Sequence, residues 1–194
     1  MRIYMAILLA LIFSVSACST PIPSDVDANQ YASRGDSQPE SDFNLAIPDG
    51  YCFSTKHSVR TSDTTIVLLH SCNAKAKMGF YSVSALKTDS EIYPKEFQHY
   101  FETPQGRQSL GIPANTNVAK ITGTKTRNGI FYVEVLNAGT PEIPLTAPKT
   151  WRGFFTKDGR LFSITFHPLA NQKISSEQSF SALQRYAIKL KNAR

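Results

Sequence analysis

Hydrophobic positions along the 194-residue chain follow three regimes. Residues 5–15 form an apolar run interrupted only by Ser14, and residues 19–42 hold only Ile22, Val26 and Tyr31 as sizeable apolar groups. From Phe43 onward, short apolar clusters recur to the end. That last regime predicts the folded part. Phe43-Asn44-Leu45-Ala46-Ile47 alternates like a strand and stops at the turn signature Pro48-Asp49-Gly50. Thr64 to Cys72 is continuous, apolar and β-branched, which predicts a strand buried on both faces. Phe80 to Leu86 reads as the next strand, and Tyr93-Pro94 as a helix start. Phe97, Tyr100 and Phe101 share one face of that helix, and Pro104 marks its end.

Two hairpins follow. Val118–Thr126 and Ile130–Asn137 flank Asn128-Gly129, the strongest short hairpin signal. Phe131, Val133 and Val135 point one way, Tyr132 and Glu134 the other, with Glu134 expected in solvent. Thr150–Thr156 and Arg160–His167 flank Asp158-Gly159, with Phe162, Ile164 and Phe166 facing inward. The chain closes on a helix with a Ser175/Gln178 capping box and a stripe of Phe180, Leu183, Ala187 and Leu190, flanked by Tyr186. This order predicts an α+β fold of mostly antiparallel sheet packed with helices, in a single domain with a C-terminal helix. The element order resembles the PsbP-like sandwich of several small envelope proteins. That likeness is of order alone and implies nothing about activity.

Domain organisation follows from the same regimes: 1–17, 18–42, and a globular domain over 43–194. The middle segment is rich in Ser, Pro, Asp and Gln and cannot bury enough surface to offset its ordering entropy. As a flexible tether it spans about 25–30 Å. It carries a net charge of −4, whereas the domain has 19 Lys and Arg against 10 Asp and Glu, a net of +9. The cations are scattered without a long run, which reads first as solubility charge and predicts no nucleic-acid partner. Docking of this basic domain on anionic lipid or a cell-wall polymer is the alternative.

The N-terminal run has the layout of a secretory signal peptide: Arg2, about eleven apolar residues, then a small-residue exit. It is shorter than the roughly 20 residues that span a bilayer as a helix. The exit, Val15-Ser16-Ala17-Cys18, resembles the lipobox of bacterial lipoproteins, a likeness confined to this segment. It implies that Cys18 becomes a diacylglyceryl thioether, that the chain is cut before it, and that the new amino terminus is acylated. Alkylation at this point needs the nucleophilicity of sulfur. Ser19, where an aspartate would favour the inner membrane, leans toward the outer membrane facing the periplasm. The competing rule, simple secretion by cleavage before Cys18, would leave an odd exposed thiol. With Cys18 lipidated, Cys52 and Cys72 form an even pair. A bridge between them closes a loop of about 21 residues, worth about 3 kcal/mol in an oxidising compartment.

Catalytic signatures are absent from the sequence: it has no HExxH, GxSxG, P-loop or dinucleotide-binding pattern, so no metal or cofactor is expected. His70 reads as a hydrogen-bonded histidine at the end of a buried strand, and His167 as a loop residue before Pro168. The most site-like stretch is the proline-stiffened connection from Gly139 to Lys149, leading into Trp151-Arg152. Lys149, Trp151 and Arg152, with Tyr132, are the candidate surface for a ligand, an envelope protein or an anionic polymer. A Trp151 that plugs the core is the competing and slightly favoured placement. An envelope hydrolase would have to assemble a site around His70, His99 or Glu134.

Overall fold

The computed structural model describes residues 45–73, 78–112, 119–137 and 146–193, all within the unit Asp36–Arg194. The expected signal peptide, Cys18, the tether and residues 139–145 of the proline-rich connection lie outside the described residues. Strands β1 (Tyr51–Arg60), β2 (Thr64–Ser71) and β3 (Gly79–Lys87) precede helices α1 (Pro94–Glu102) and α2 (Pro104–Ser109). Strands β4 (Ala119–Arg127), β5 (Ile130–Asn137), β6 (Lys149–Lys157) and β7 (Arg160–Pro168) follow, and α3 (Ser176–Asn192) ends the fold. The strands form one seven-stranded antiparallel sheet in the order β1-β2-β3-β7-β6-β5-β4. It consists of two meanders zipped together where β3 pairs with β7, from Gly79↔Pro168 to Lys87↔Arg160.

Local chemistry explains the turns and caps. Asn128-Gly129 and Asp158-Gly159 each hold two consecutive residues at positive φ (54° and 67°, 50° and 66°). That is the primed-turn geometry whose twist matches its flanking strands. Helix α3 starts on the expected capping box: Gln178 N–H donates to Ser175 Oγ at 3.2 Å, and Ser175 N–H to Gln178 Oε1 at 2.8 Å. At its other end Lys157 Nζ donates to the carbonyls of Leu190 and Ala193, where the helix dipole favours a cation.

Both faces of the sheet carry helix, though not over the same strands. Helix α3 lays Phe180, Leu183, Tyr186, Ala187 and Leu190 on a floor that includes Leu69, Tyr81, Phe155, Ile164 and Phe166. Burying one such side chain is worth roughly 1.5–3 kcal/mol. On the opposite face Phe97 and Phe101 of α1, with Leu110 and Ile112, cover Phe131, Val133, Val135 and Phe154. Strand β5 is therefore enclosed on both sides from Ile130 to Val135.

Several expectations change. Strand β2 is buried on one face only: Thr65, Val67 and Leu69 point into the core, while Ile66 is 39% exposed and His70 is exposed. Its second face lies beyond the reach of α1, which packs over β5 and β6. Residues 45–47 form no strand, although Leu45 is a core residue, and the true edge strand is β1. The register of β1 shifts between Ser54 and Val59, which breaks the alternation that would have announced it. Pro104 does not simply end a helix: Thr103 caps α2, accepting from Gly106 N–H at 3.0 Å, with Pro104 at its first position. Cys52 and Cys72 are joined as a disulfide with Cα atoms 5.1 Å apart, tying β1 to the end of β2.

Candidate functional site

Glu134, expected in solvent, is only 4% exposed. It stands in β5 opposite Trp151 of β6 and beside Gly123 at the irregularity in β4, on the face covered by α3. Three donors meet its carboxylate. Thr122 Oγ1 donates to Oε2 at 2.6 Å, Lys149 Nζ approaches the same oxygen at 3.0 Å, and Ser176 Oγ donates to Oε1. Trp151 Nε1 in turn donates to Ser176 Oγ at 3.0 Å. Burial pushes the Glu134 carboxyl up, but the bonds from Ser176, Thr122 and Lys149, with the Lys149 charge, outweigh it and leave the group below its ordinary value. A carboxylate so engaged is an anchor and a poor proton acceptor. It ties β4, β5 and β6 to the first turn of α3, where the helix dipole adds to the stabilisation.

The candidate surface residues divide between this cluster and the opposite face. Lys149 and Trp151 belong to the cluster, with the indole buried at 4% exposure against Phe180, ring centroids 4.8 Å apart. Tyr132 is fully buried on the same face, edge-on to Phe180 at 5.2 Å. Gly153 makes room for it, since a Cβ there would sit 3.2 Å from the tyrosine ring. Outside this core, Lys125 Nζ lies 4.0 Å above the Phe180 ring and 3.3 Å from Glu177 Oε2. Arg152 follows Trp151 by one residue and so points to the other face. The four residues do not make one surface.

On that other face, Arg152 and His167 line a cleft of about 30 Å³ with Leu110, Val135, Thr146 and Pro148. This is room for about a water molecule. His167, expected in a loop, is a buried residue of β7 stacked on Phe80 at 4.6 Å. Its Nε2 lies 2.9 Å from Ser82 Oγ. Burial first, and the Arg152 charge second, push the imidazole down to about 4. A Ser–His contact invites a nucleophilic reading, but an imidazole with so little proton affinity is a weak general base near neutral pH. The pair instead satisfies two polar groups on a half-covered face.

The hydrolase expectation required convergence. Glu134 lies under α3, His70 is exposed at the end of β2, and the side chain of His99 on α1 is 88% exposed beside Glu102. They do not meet. Among the described residues, no group of three His, Cys, Asp or Glu is placed to hold a metal ion. Sequence reading missed Thr122, Ser176 and Ser82, and placed His167 in a loop. The available signal was a lone acid interrupting an apolar strand, which calls for buried partners. No protein-family model matches the chain, and no curated protein matches it.

Proposed function

We propose that the protein is a membrane-anchored envelope lipoprotein, whose Cys18-linked acyl chains hold a basic, disulfide-stapled binding or structural domain. The supporting observation is the fate of the cysteines. Cys52 and Cys72 take each other, so Cys18, at the end of the apolar run, is the odd thiol that the lipobox resemblance assigns to lipidation. Each buried methylene adds about 0.8 kcal/mol of membrane affinity, so two or three acyl chains make release negligible. Anchoring at the outer membrane, facing the periplasm, fits Ser19 after the cysteine. The partner in this reading is an envelope protein or an anionic polymer.

The dispersal of His70, His99 and Glu134 favours a binding or structural role over hydrolysis. A hydrolytic site built instead on the Ser82–His167 contact is disfavoured by the weak basicity of His167. The test is membrane fractionation of cells expressing Cys18→Ala. The variant is expected in the soluble fraction, and unchanged membrane partition rules the anchor out.

A further inference from the structure

The largest aliphatic exposure at the sheet's edge is a pair. Val59 of β1 is 59% exposed and Ile66 of β2 is 39% exposed. They are direct register partners and so share one face with side chains in contact range. Leu68, two residues along β2, and Leu86, opposite Thr64 on β3, continue the same face half-buried. The result is an aliphatic corner spread over three strands, on the side that α1 does not reach.

Cations edge this corner. Arg60 follows Val59 at the end of β1 and so starts on the opposite face, at the sheet's edge, and Lys56 lies in the irregular part of β1; both are exposed. Lys87 follows Leu86 at the end of β3 and likewise starts on the opposite face; its amide donates to the Asp63 carbonyl in the β1–β2 turn at 2.7 Å. Asp63 is the acid of that turn. Exposed aliphatics with long cationic side chains at the strand ends, able to bend round the sheet, suit the boundary between headgroups and acyl chains, where the former enter and the latter stay with phosphate.

We propose that this corner of β1–β3 is the face by which the domain rests on an anionic membrane surface. The inference rests on the anchored reading for proximity. Only 26 residues lie between Cys18 and Leu45, so for an anchored chain the bilayer is the nearest large surface. The domain's net charge of +9 is opposite to that surface.

The test removes the anchor so that the two ideas fail separately. The full chain carrying Cys18→Ala is collected from the soluble fraction and sedimented with phosphatidylglycerol-containing vesicles or with pure phosphatidylcholine vesicles. Binding to the anionic vesicles is expected to exceed that to the neutral ones by about tenfold and to fade as salt is raised. Adding Val59→Ser with Ile66→Ser should lower it about tenfold, and Arg60→Ser a few-fold. Tyr93→Ser, which truncates another exposed side chain, should leave it unchanged. Circular dichroism checks folding, and Val59→Ser alone serves if the double variant unfolds. Equal binding to both vesicle types, none to either, or undiminished binding by the Val59 variants overturns the proposal. So does a concentration-dependent dimer abolished by the same substitutions without vesicle binding, which would make the corner a contact between copies.

Discussion

Strands β2 and β5 look alike in composition and live in different surroundings. Both are eight-residue strands dominated by β-branched and aromatic or aliphatic residues. Strand β5 lies between α3 and the α1–α2 pair and buries every residue from Ile130 to Val135, a glutamate included. Strand β2 turns Val67 and Leu69 into the core that α3 shares, and on its other side exposes Ile66 and His70 and leaves Leu68 half-buried. Apolar content therefore does not set two-sided burial. Helix coverage does, and it is decided by segments far away in sequence.

Substitutions sharpen that contrast, beginning with the largest effect. Phe131→Ala in β5, where the ring is 1% exposed between Phe97 and Phe101, is expected to cost about 3–5 kcal/mol in denaturant unfolding. Ile66→Ala in β2 should cost about 1 kcal/mol or less. Equal losses would erase the distinction between the strands.

His167 gives the next effect, through pH. Its folded-state value near 4 lies below the unfolded value of about 6.5. Between those values the unfolded chain binds the proton more readily, so stability falls as pH drops through that window and levels off below it. The full loss is on the order of 3 kcal/mol for the imidazole alone, at 1.36 kcal/mol per unit. His167→Gln should flatten the stability profile between pH 6.5 and 4, and an unchanged slope would place the titration elsewhere.

The disulfide supports the half of the sheet with one open face. Cys52→Ser should cost about 3 kcal/mol and lower the melting temperature by several degrees, by removing the tie between β1 and β2. Unaltered melting would mean that the crosslink adds nothing to an edge already held by Phe53, Leu45 and their neighbours. Glu134→Gln follows. It removes the charge under Lys149, keeps one acceptor for Thr122 or Ser176, and should cost about 1–3 kcal/mol. Because the folded carboxyl is held below its ordinary value, its contribution is present above the usual carboxylate range. It is lost as pH falls through the folded value, and the variant should lack that acid-side loss.

Much of this architecture is written locally. The two Asx-Gly turns, the Ser175/Gln178 box, Pro94 at a helix start and the Phe162–Phe166 alternation each depend on neighbours within a few residues, and each sits where its chemistry predicts. Residues whose surroundings come from afar were harder to place. Glu134 is enclosed by Ser176, which arrives 42 positions later. His167 is buried against Phe80 and Ser82, with Ser82 lying 85 positions earlier. No window of period two or 3.6 contains those pairs. Strand β1 escaped for a third reason, since polar Ser54 to Ser58 and a register shift hide its alternation. Trp151 and Tyr132, candidates for a binding surface because large aromatics anchor interfaces, serve the inner packing instead.

The anchored-domain account is tested most directly by intact-mass spectrometry of the protein extracted from membranes. It predicts a chain beginning at Cys18, heavier by a diacylglyceryl thioether and an amide-linked acyl group, with Cys52 and Cys72 oxidised. A retained leader, or a first residue bearing an unmodified thiol, would contradict it.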